Sequence, residues 1–78
     1  MIQCVITSPE KTTHYDNIKS VTIPVSEGCT EILPHHAEAF FLVGAGTIVL
    51  YSSDGKSETV ETKDGSCYVK DSKVMIIL

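Results

Sequence analysis

The sequence of 78 residues contains no arginine and no tryptophan, and three tyrosines and two phenylalanines are its only large aromatic side chains. The six cations are all lysines, Lys11, Lys19, Lys56, Lys63, Lys70 and Lys73, scattered along a chain of formal net charge −4. Without a basic stripe there is nothing to neutralise a phosphate backbone, so nucleic acid is not an expected partner. Long apolar runs are missing too. The stretch from Ala39 to Tyr51 is broken by Gly44 and Gly46 and falls short of the ~20 apolar residues of a helical span, so no transmembrane segment is expected. The opening MIQCVITSPEK has no basic leader, apolar h-region or small-residue cleavage site, does not read as a secretory signal, and points to a reducing compartment. Cysteine is scarce: Cys4, Cys29 and Cys67 are odd in number and form no C-x-x-C pair. That argues against a disulfide framework or a zinc site and for free thiols buried as small apolar residues.

What is present is the composition of a folded domain, 42% apolar and 21% charged. A single domain over residues 1–78 is expected, in which folding buries about 60–65% of the surface the unfolded chain exposes. Short segments rich in β-branched residues, MIQCVIT, NIKSVTIPV, TIVLYS, SETVET, SCYVK and KVMIIL, are separated by turn formers, which is a strand pattern. Asp54-Gly55 and Asp64-Gly65 read as tight hairpin turns and Asp71-Ser72 as a weaker turn of the same kind, predicting a β-meander from Thr47 onward. Cys67 and Val69 alternate with Ser66, Tyr68 and Lys70, and Val74, Ile76 and Leu78 continue the phase, so one face is core and the other is wet or covered by a partner. Helical spacing occurs only over His36–Val43. The fold class expected is all-β, a small two-layer β-sandwich of mostly antiparallel short strands.

The densest chemistry lies in EGCTEILPHHAEAF, Glu27–Phe40. A metal site would draw on Cys29, Glu31, His35, His36 and Glu38, but adjacent histidines on extended backbone point apart and no pair has the i, i+4 spacing of converging ligands. A Cys29–His36 nucleophilic pair would need an orienting group and an oxyanion pocket that so small a sandwich has little volume to form. Val43-Gly44-Ala45-Gly46-Thr47 lacks the third glycine and the helix of a phosphate loop and reads as a turn before a strand. Glu58/Glu61 and Asp64/Asp71 read as solvated carboxylates, and His14 as a surface residue. No catalytic residue, metal or cofactor is expected, and the residues alone describe an interaction module.

The order of segments adds to this. TSPE, VTIPVSEG, EILPHHAEAF, a glycine before TIVL, a KDG turn and a closing KVMIIL resemble the N-terminal β-sandwich domain of ATP synthase epsilon subunits. The similarity covers essentially the whole chain. Pro9, Glu10, Val21, Pro24, Glu27, Gly28, Ile32, Leu33, Pro34, His36, Ala37, Gly46, Ile48, Gly65, Val69, Val74 and Leu78 sit where that pattern expects them. Glu31 and His35 stand in place of glycines, Glu38 in place of a proline, Gly44-Ala45 in place of Lys-Pro and Asp64 in place of the first glycine of a pair. Glu31 and His35 must therefore either avoid positive φ or tolerate it with strain. No counterpart of the family's C-terminal helical hairpin is expected after Leu78, so roles tied to that hairpin are not carried over.

The resemblance implies a non-catalytic rotor subunit that links the gamma subunit to the membrane c-ring and couples proton flow to ATP synthesis. Ser26, Glu27, Gly28, Cys29, Thr30 and Glu31 correspond to the ring-contacting loop, with Glu31 supplying the acid that Cys29 replaces. Ser8, His36, Phe40, Phe41 and Leu42 correspond to the gamma-facing surface, with one of the two phenylalanines expected there and the other in the core. The expected location is peripheral, on the cytoplasmic side of a bacterial plasma membrane, ahead of a plastid or other energy-transducing membrane. The competing reading is a stand-alone β-sandwich adaptor with another partner, and a thiol-reagent-sensitive hydrolase using Cys29 and His36 is a third.

Overall fold

Alternation of β-branched and polar residues gives eight strands and no helix in the computed structural model, which describes residues 1–78. They are β1 (Ile2–Thr7), β2 (Thr12–Val25), β3 (Gly28–Ile32), β4 (Ala39–Val43), β5 (Gly46–Ser52), β6 (Ser57–Thr62), β7 (Gly65–Lys70) and β8 (Lys73–Ile77). The expected all-β class is what the chain adopts. The helical spacing noted over His36–Val43 does not become a helix, because Ala39–Val43 pairs along its length with Val69–Gly65 of β7.

The strands form one curled sheet in the order β4-β7-β8-β1-β2-β5-β6, with β3 also on β2. The curl makes it a sandwich. One layer is β4-β7-β8-β1 with the first half of the fourteen-residue β2; the other is the second half of β2 with β3, β5 and β6. All pairings are antiparallel except β1 with β8. Two irregularities let β2 serve both layers: three steps from Tyr15 to Ile18 face two from Cys4 to Ile2, and two steps from Ile18 to Ser20 face the single step from Ser52 to Tyr51. Asn17 takes a positive φ of 56° at the first, as the short polar side chain of asparagine allows. Each bulge advances the phase by one residue, so Ile18, Val21 and Ile23 all end in the core although their spacing is not strictly two.

The predicted meander is only partly realised. Asp54-Gly55 closes the β5–β6 hairpin, with Gly55 at φ 90° and Asp54 Oδ1 accepting from the Lys56 N–H at 3.0 Å. Asp71 and Ser72, both at positive φ, form the two-residue turn between β7 and β8, the combination that matches strand twist. Asp64-Gly65, however, is no hairpin: β7 leaves β6 and pairs with β4 and β8. β6 offers the interior only Val60, partly buried, and so ends a sheet. β7 carries Cys67 and Val69, both fully buried, and a neighbour on each side encloses them.

Fourteen buried side chains form one cluster, seven of them isoleucines, with Cys4 and Cys67 among them. Each isoleucine so buried contributes about 1.5–3 kcal/mol. All three thiols are free; Cys4 and Cys67 are buried as expected, whereas Cys29 is exposed. Burial, with a smaller contribution from the neighbouring Cys67, pushes Cys4 from its ordinary 9.0 up to about 12, and burial pushes Cys67 up to about 11. Thiols kept neutral in the core are unreactive, so one thiol, Cys29, should react with an aqueous disulfide reagent in the native chain and three after denaturation. Above pH 9 the unfolded chain loses these thiol protons while the folded chain keeps them. Stability should therefore hold below pH 9 and fall between pH 9 and about 12, by up to about 1.4 kcal/mol per pH unit per thiol, as urea melts at a series of pH values would read. Native reaction of Cys4 or Cys67 would contradict their burial.

Candidate interaction surface

Val25 pairs with Gly28, leaving Ser26 and Glu27 as the two-residue tip of the β2–β3 hairpin. Ser26 Oγ donates to Glu27 Oε1 at 2.9 Å, and Gly28, at φ 134° with open space around it, closes the tip. Glu27, Cys29 and Glu31 are exposed, Thr30 is half-buried, and Ile32 reaches the core. The six residues proposed for a ring contact are thus one protruding, acidic element. The two glycine replacements resolve differently. Glu31 sits in the β3 ladder opposite Thr22 without a positive φ, whereas His35 takes φ 65°. A non-glycine residue there costs on the order of 1 kcal/mol, and the His35 N–H is held by Ser72 Oγ at 3.0 Å.

The outward side of β4-β7-β8-β1 is apolar over two rows and polar at one end, where exposed Lys70, Lys73 and Gln3 align. Register places Phe40, Tyr68, Met75 and Val5 in one row across the layer and Leu42, Ser66, Ile77 and Thr7 in the next. Phe40 is 61% and Leu42 73% exposed, and Tyr68, Met75 and Ile77 are also exposed. The outward side of the other layer is mostly hydroxyl and acid: Glu31, Thr22, Val49 and Thr59 form one row, Ser20, Tyr51 and Ser57 another, and Thr47 Oγ1 donates to Glu61 Oε1 at 2.7 Å. One flank of the sandwich is greasy and the other wet.

The five residues expected on a gamma-facing surface are distributed along this layer. Phe40 and Leu42 project outward from β4. Phe41 lies between them on the inner side, opposite buried Cys67, packed against the core, with the His36 ring edge-on at a centroid distance of 6.2 Å. His36 Nδ1 donates to the Ala37 carbonyl at 2.7 Å in the loop before β4. Ser8 follows β1 at the opposite end of the layer, its N–H donating to Lys11 O at 2.9 Å. Sequence reasoning missed Tyr68, Met75 and Ile77. The signal was available, since each occupies the non-core phase of its strand yet is apolar or aromatic.

A shallow groove of about 590 Å³ joins the two elements. Val25, Glu27 and Cys29 of the hairpin line one side, Phe40–Gly44 the other, and the Gly44 N–H donates to Pro24 O at 2.9 Å beneath it. Cys29 lines this groove, whereas His36 lines a separate depression with His35 and Glu38. No three histidine, cysteine or acidic side chains are positioned to hold a metal ion. Gly44-Ala45-Gly46 is a turn into β5, and His14 is exposed on β2 beside Val5. The Tyr15 phenol is raised, by its partial burial and then by nearby Glu58.

The family of ATP synthase delta/epsilon-chain β-sandwich domains matches residues 1–78. The ATP synthase epsilon chain of Sulfurovum sp. (strain NBC37-1) is 34% identical over 73 residues, covering 94% of this chain and 57% of the relative. That of Wolinella succinogenes is 38% identical over 64 residues, covering 82% of this chain and 49% of the relative. The chain thus spans about half the length of these curated relatives. Among solved structures, a chain of the Euglena gracilis mitochondrial ATP synthase (OSCP/F1/c-ring) has a TM-score of 0.89 at 20% identity, and one of the Tetrahymena thermophila mitochondrial ATP synthase (central stalk/c-ring) has 0.80 at 15%. Each covers 97% of this chain, against 49% and 61% of the matched chains, so the fold is shared throughout.

Proposed function

Because the chain belongs to the ATP synthase delta/epsilon-chain β-sandwich family over its whole length, we propose that it is a non-catalytic subunit of the rotor stalk of a proton-translocating F-type ATP synthase. In this reading the outer side of β4-β7-β8-β1 docks on the gamma subunit and the β2–β3 hairpin sits on the membrane c-ring, at the cytoplasmic side of a bacterial plasma membrane. The observation that carries it is the apolar flank: five exposed large apolar side chains, Phe40, Leu42, Tyr68, Met75 and Ile77, share one sheet face. Such a patch, continuous across three strands, fits an obligate protein contact better than exposure to water.

Mechanically, a stalk part must pass torque between its contacts without shearing. A two-layer sandwich suits this because its close-packed interior deforms little, and here one buried cluster lies between the greasy flank and the opposite layer. The hairpin projects at the end where the groove meets β4, so a load at its tip reaches the flank along β2, which pairs with β3 at one end and with β1 at the other.

Co-purification with gamma and the c-ring tests the assignment, and a failure of the unaltered chain to bind either would favour the adaptor reading. Within it, reversing both Glu27 and Glu31 to lysine should weaken association with the assembled ring roughly ten-fold at low salt, the difference shrinking as salt rises. Both carboxylates are exposed on the hairpin, so stability should change by less than about 0.5 kcal/mol. Unchanged ring binding by the double variant would remove the hairpin from that contact.

A further inference from the structure

β4 ends its layer as an open edge. It pairs only with β7, and no backbone hydrogen bond outside that ladder reaches Ala39–Val43. The direction of its free groups follows from the neighbouring hairpin. Asp71 and Ser72 make a two-residue loop, so Lys70 and Lys73 exchange both backbone bonds, and by alternation so do Tyr68 with Met75 and Ser66 with Ile77. Gly65, Cys67 and Val69 of β7 then turn to β4 and bond Val43, Phe41 and Ala39. Phe40 and Leu42 are left with their N–H and C=O groups directed away from β7. The Gly44 N–H, next in that phase, likewise points away and donates to Pro24 O.

Those groups face the groove between β4 and the β2–β3 hairpin. Phe40, Phe41, Leu42 and Val43 all border it, and because successive side chains point to opposite faces, a groove touching all four runs along the strand's edge. The other edges are guarded: β6 reads SETVET and β3 reads GCTEI, each with exposed glutamate, a common device of edges that stay unpaired. β4, AFFLV, has neither charge nor proline. Its Phe40 and Leu42 are also the most exposed large apolar side chains of the chain, each having a cross-strand neighbour on one side only. We propose that the partner docking on this flank adds an extended segment to β4, pairing its main chain with Phe40 and Leu42. An extended main chain is the occupant because it supplies donors and acceptors at the matching spacing. Residues opposite Phe40 and Leu42 share their face, so the segment carries apolar side chains at two alternate positions. Five such residues, about 17 Å of strand, cover the edge.

The inference rests on the stalk reading for the identity of the partner, so the probe is the purified gamma subunit. In the free chain the amides of Phe40 and Leu42 should exchange hydrogen fast and those of Phe41 and Val43 slowly; in the complex the first pair should become protected. Methylating the Leu42 backbone nitrogen by peptide synthesis keeps the side chain and removes the donor. Melting should be unchanged, since that N–H bonds nothing within the chain, while gamma binding weakens at least about thirty-fold. Leu42→Pro compared with Leu42→Ala is the recombinant equivalent. Both lose the leucine and only the first loses the N–H, which an edge strand tolerates, so the proline variant should bind about ten-fold more weakly than the alanine one. Gamma binding by the methylated chain as tight as by the unaltered one, or Phe40 and Leu42 amides still exchanging freely in the complex, would overturn the proposal while leaving the stalk reading intact. Protection that appears on concentrating the chain alone would give the edge to a second copy and overturn it as well. Absence of gamma binding by the unaltered chain would overturn the stalk reading and this inference with it.

Discussion

Phe40→Asp combined with Leu42→Asp should abolish gamma binding and leave the chain folded. The two side chains are 61% and 73% exposed, so the isolated domain loses little when they become polar. On docking they would lie at the edge strand of the apolar flank, where replacing a large apolar anchor costs about 2 kcal/mol or more and an unpaired buried carboxylate adds to it. A loss of at least about a hundred-fold in affinity follows. The neighbour between them makes the result specific. Phe41 faces inward against Cys67 and the core, so Phe41→Asp should unfold the chain, costing about 3–5 kcal/mol. Calorimetric titration with gamma, alongside urea melts of each variant, reads both effects. If the double variant binds gamma as the unaltered chain does, the flank is not the docking surface.

Gly65→Ala should be the most damaging single-atom addition in the molecule. Gly65 opens β7 where the chain crosses from β6 to the other layer, and a Cβ there would stand 2.4 Å from the Ile77 carbonyl oxygen and 3.0 Å from Leu78 Cδ2. The oxygen belongs to β8, which pairs with β7 and β1, so it can move only by distorting two ladders. Overpacking of this kind costs about 3 kcal/mol, a large fraction of the roughly 4–12 kcal/mol expected for a chain of this size. Gly28→Ala is the comparison. Its surroundings are open, and only its φ of 134° resists a side chain, so it should cost about 1–2 kcal/mol. Urea midpoints rank the two, and a smaller loss at Gly65 than at Gly28 would contradict the close approach.

The two departures from the glycine pattern show why local rules reach only so far. Both Glu31 and His35 stand where glycine was expected, and nothing in their immediate sequence separates them. Glu31 is freed from positive φ by joining β3 opposite Thr22, while His35 is held in it by Ser72, 37 residues away. The same holds for the turns. Asp54-Gly55, Asp64-Gly65 and Asp71-Ser72 carry similar signals, yet the middle one joins strands that do not pair. A turn motif states how a chain bends, and the partner of the outgoing strand is settled by which buried faces must meet.

The sequence by itself determined the all-β class, the strand segments, the inward phase of Cys67, Val69, Val74 and Ile76, and the family. The class, segments and phase follow from alternation and turn chemistry, which act between neighbours along the chain, and the family from the resemblance carried by the order of its segments. Tertiary structure alone decided that β2 bends through two bulges to serve both layers, that β7 lies between β4 and β8, and that Phe40 and Leu42 join Tyr68, Met75 and Ile77 on one outer face. Those residues come from strands up to 37 positions apart, and their meeting depends on the register of two ladders. Register is set by burying all the inward faces at once, and no local stretch of sequence encodes that sum.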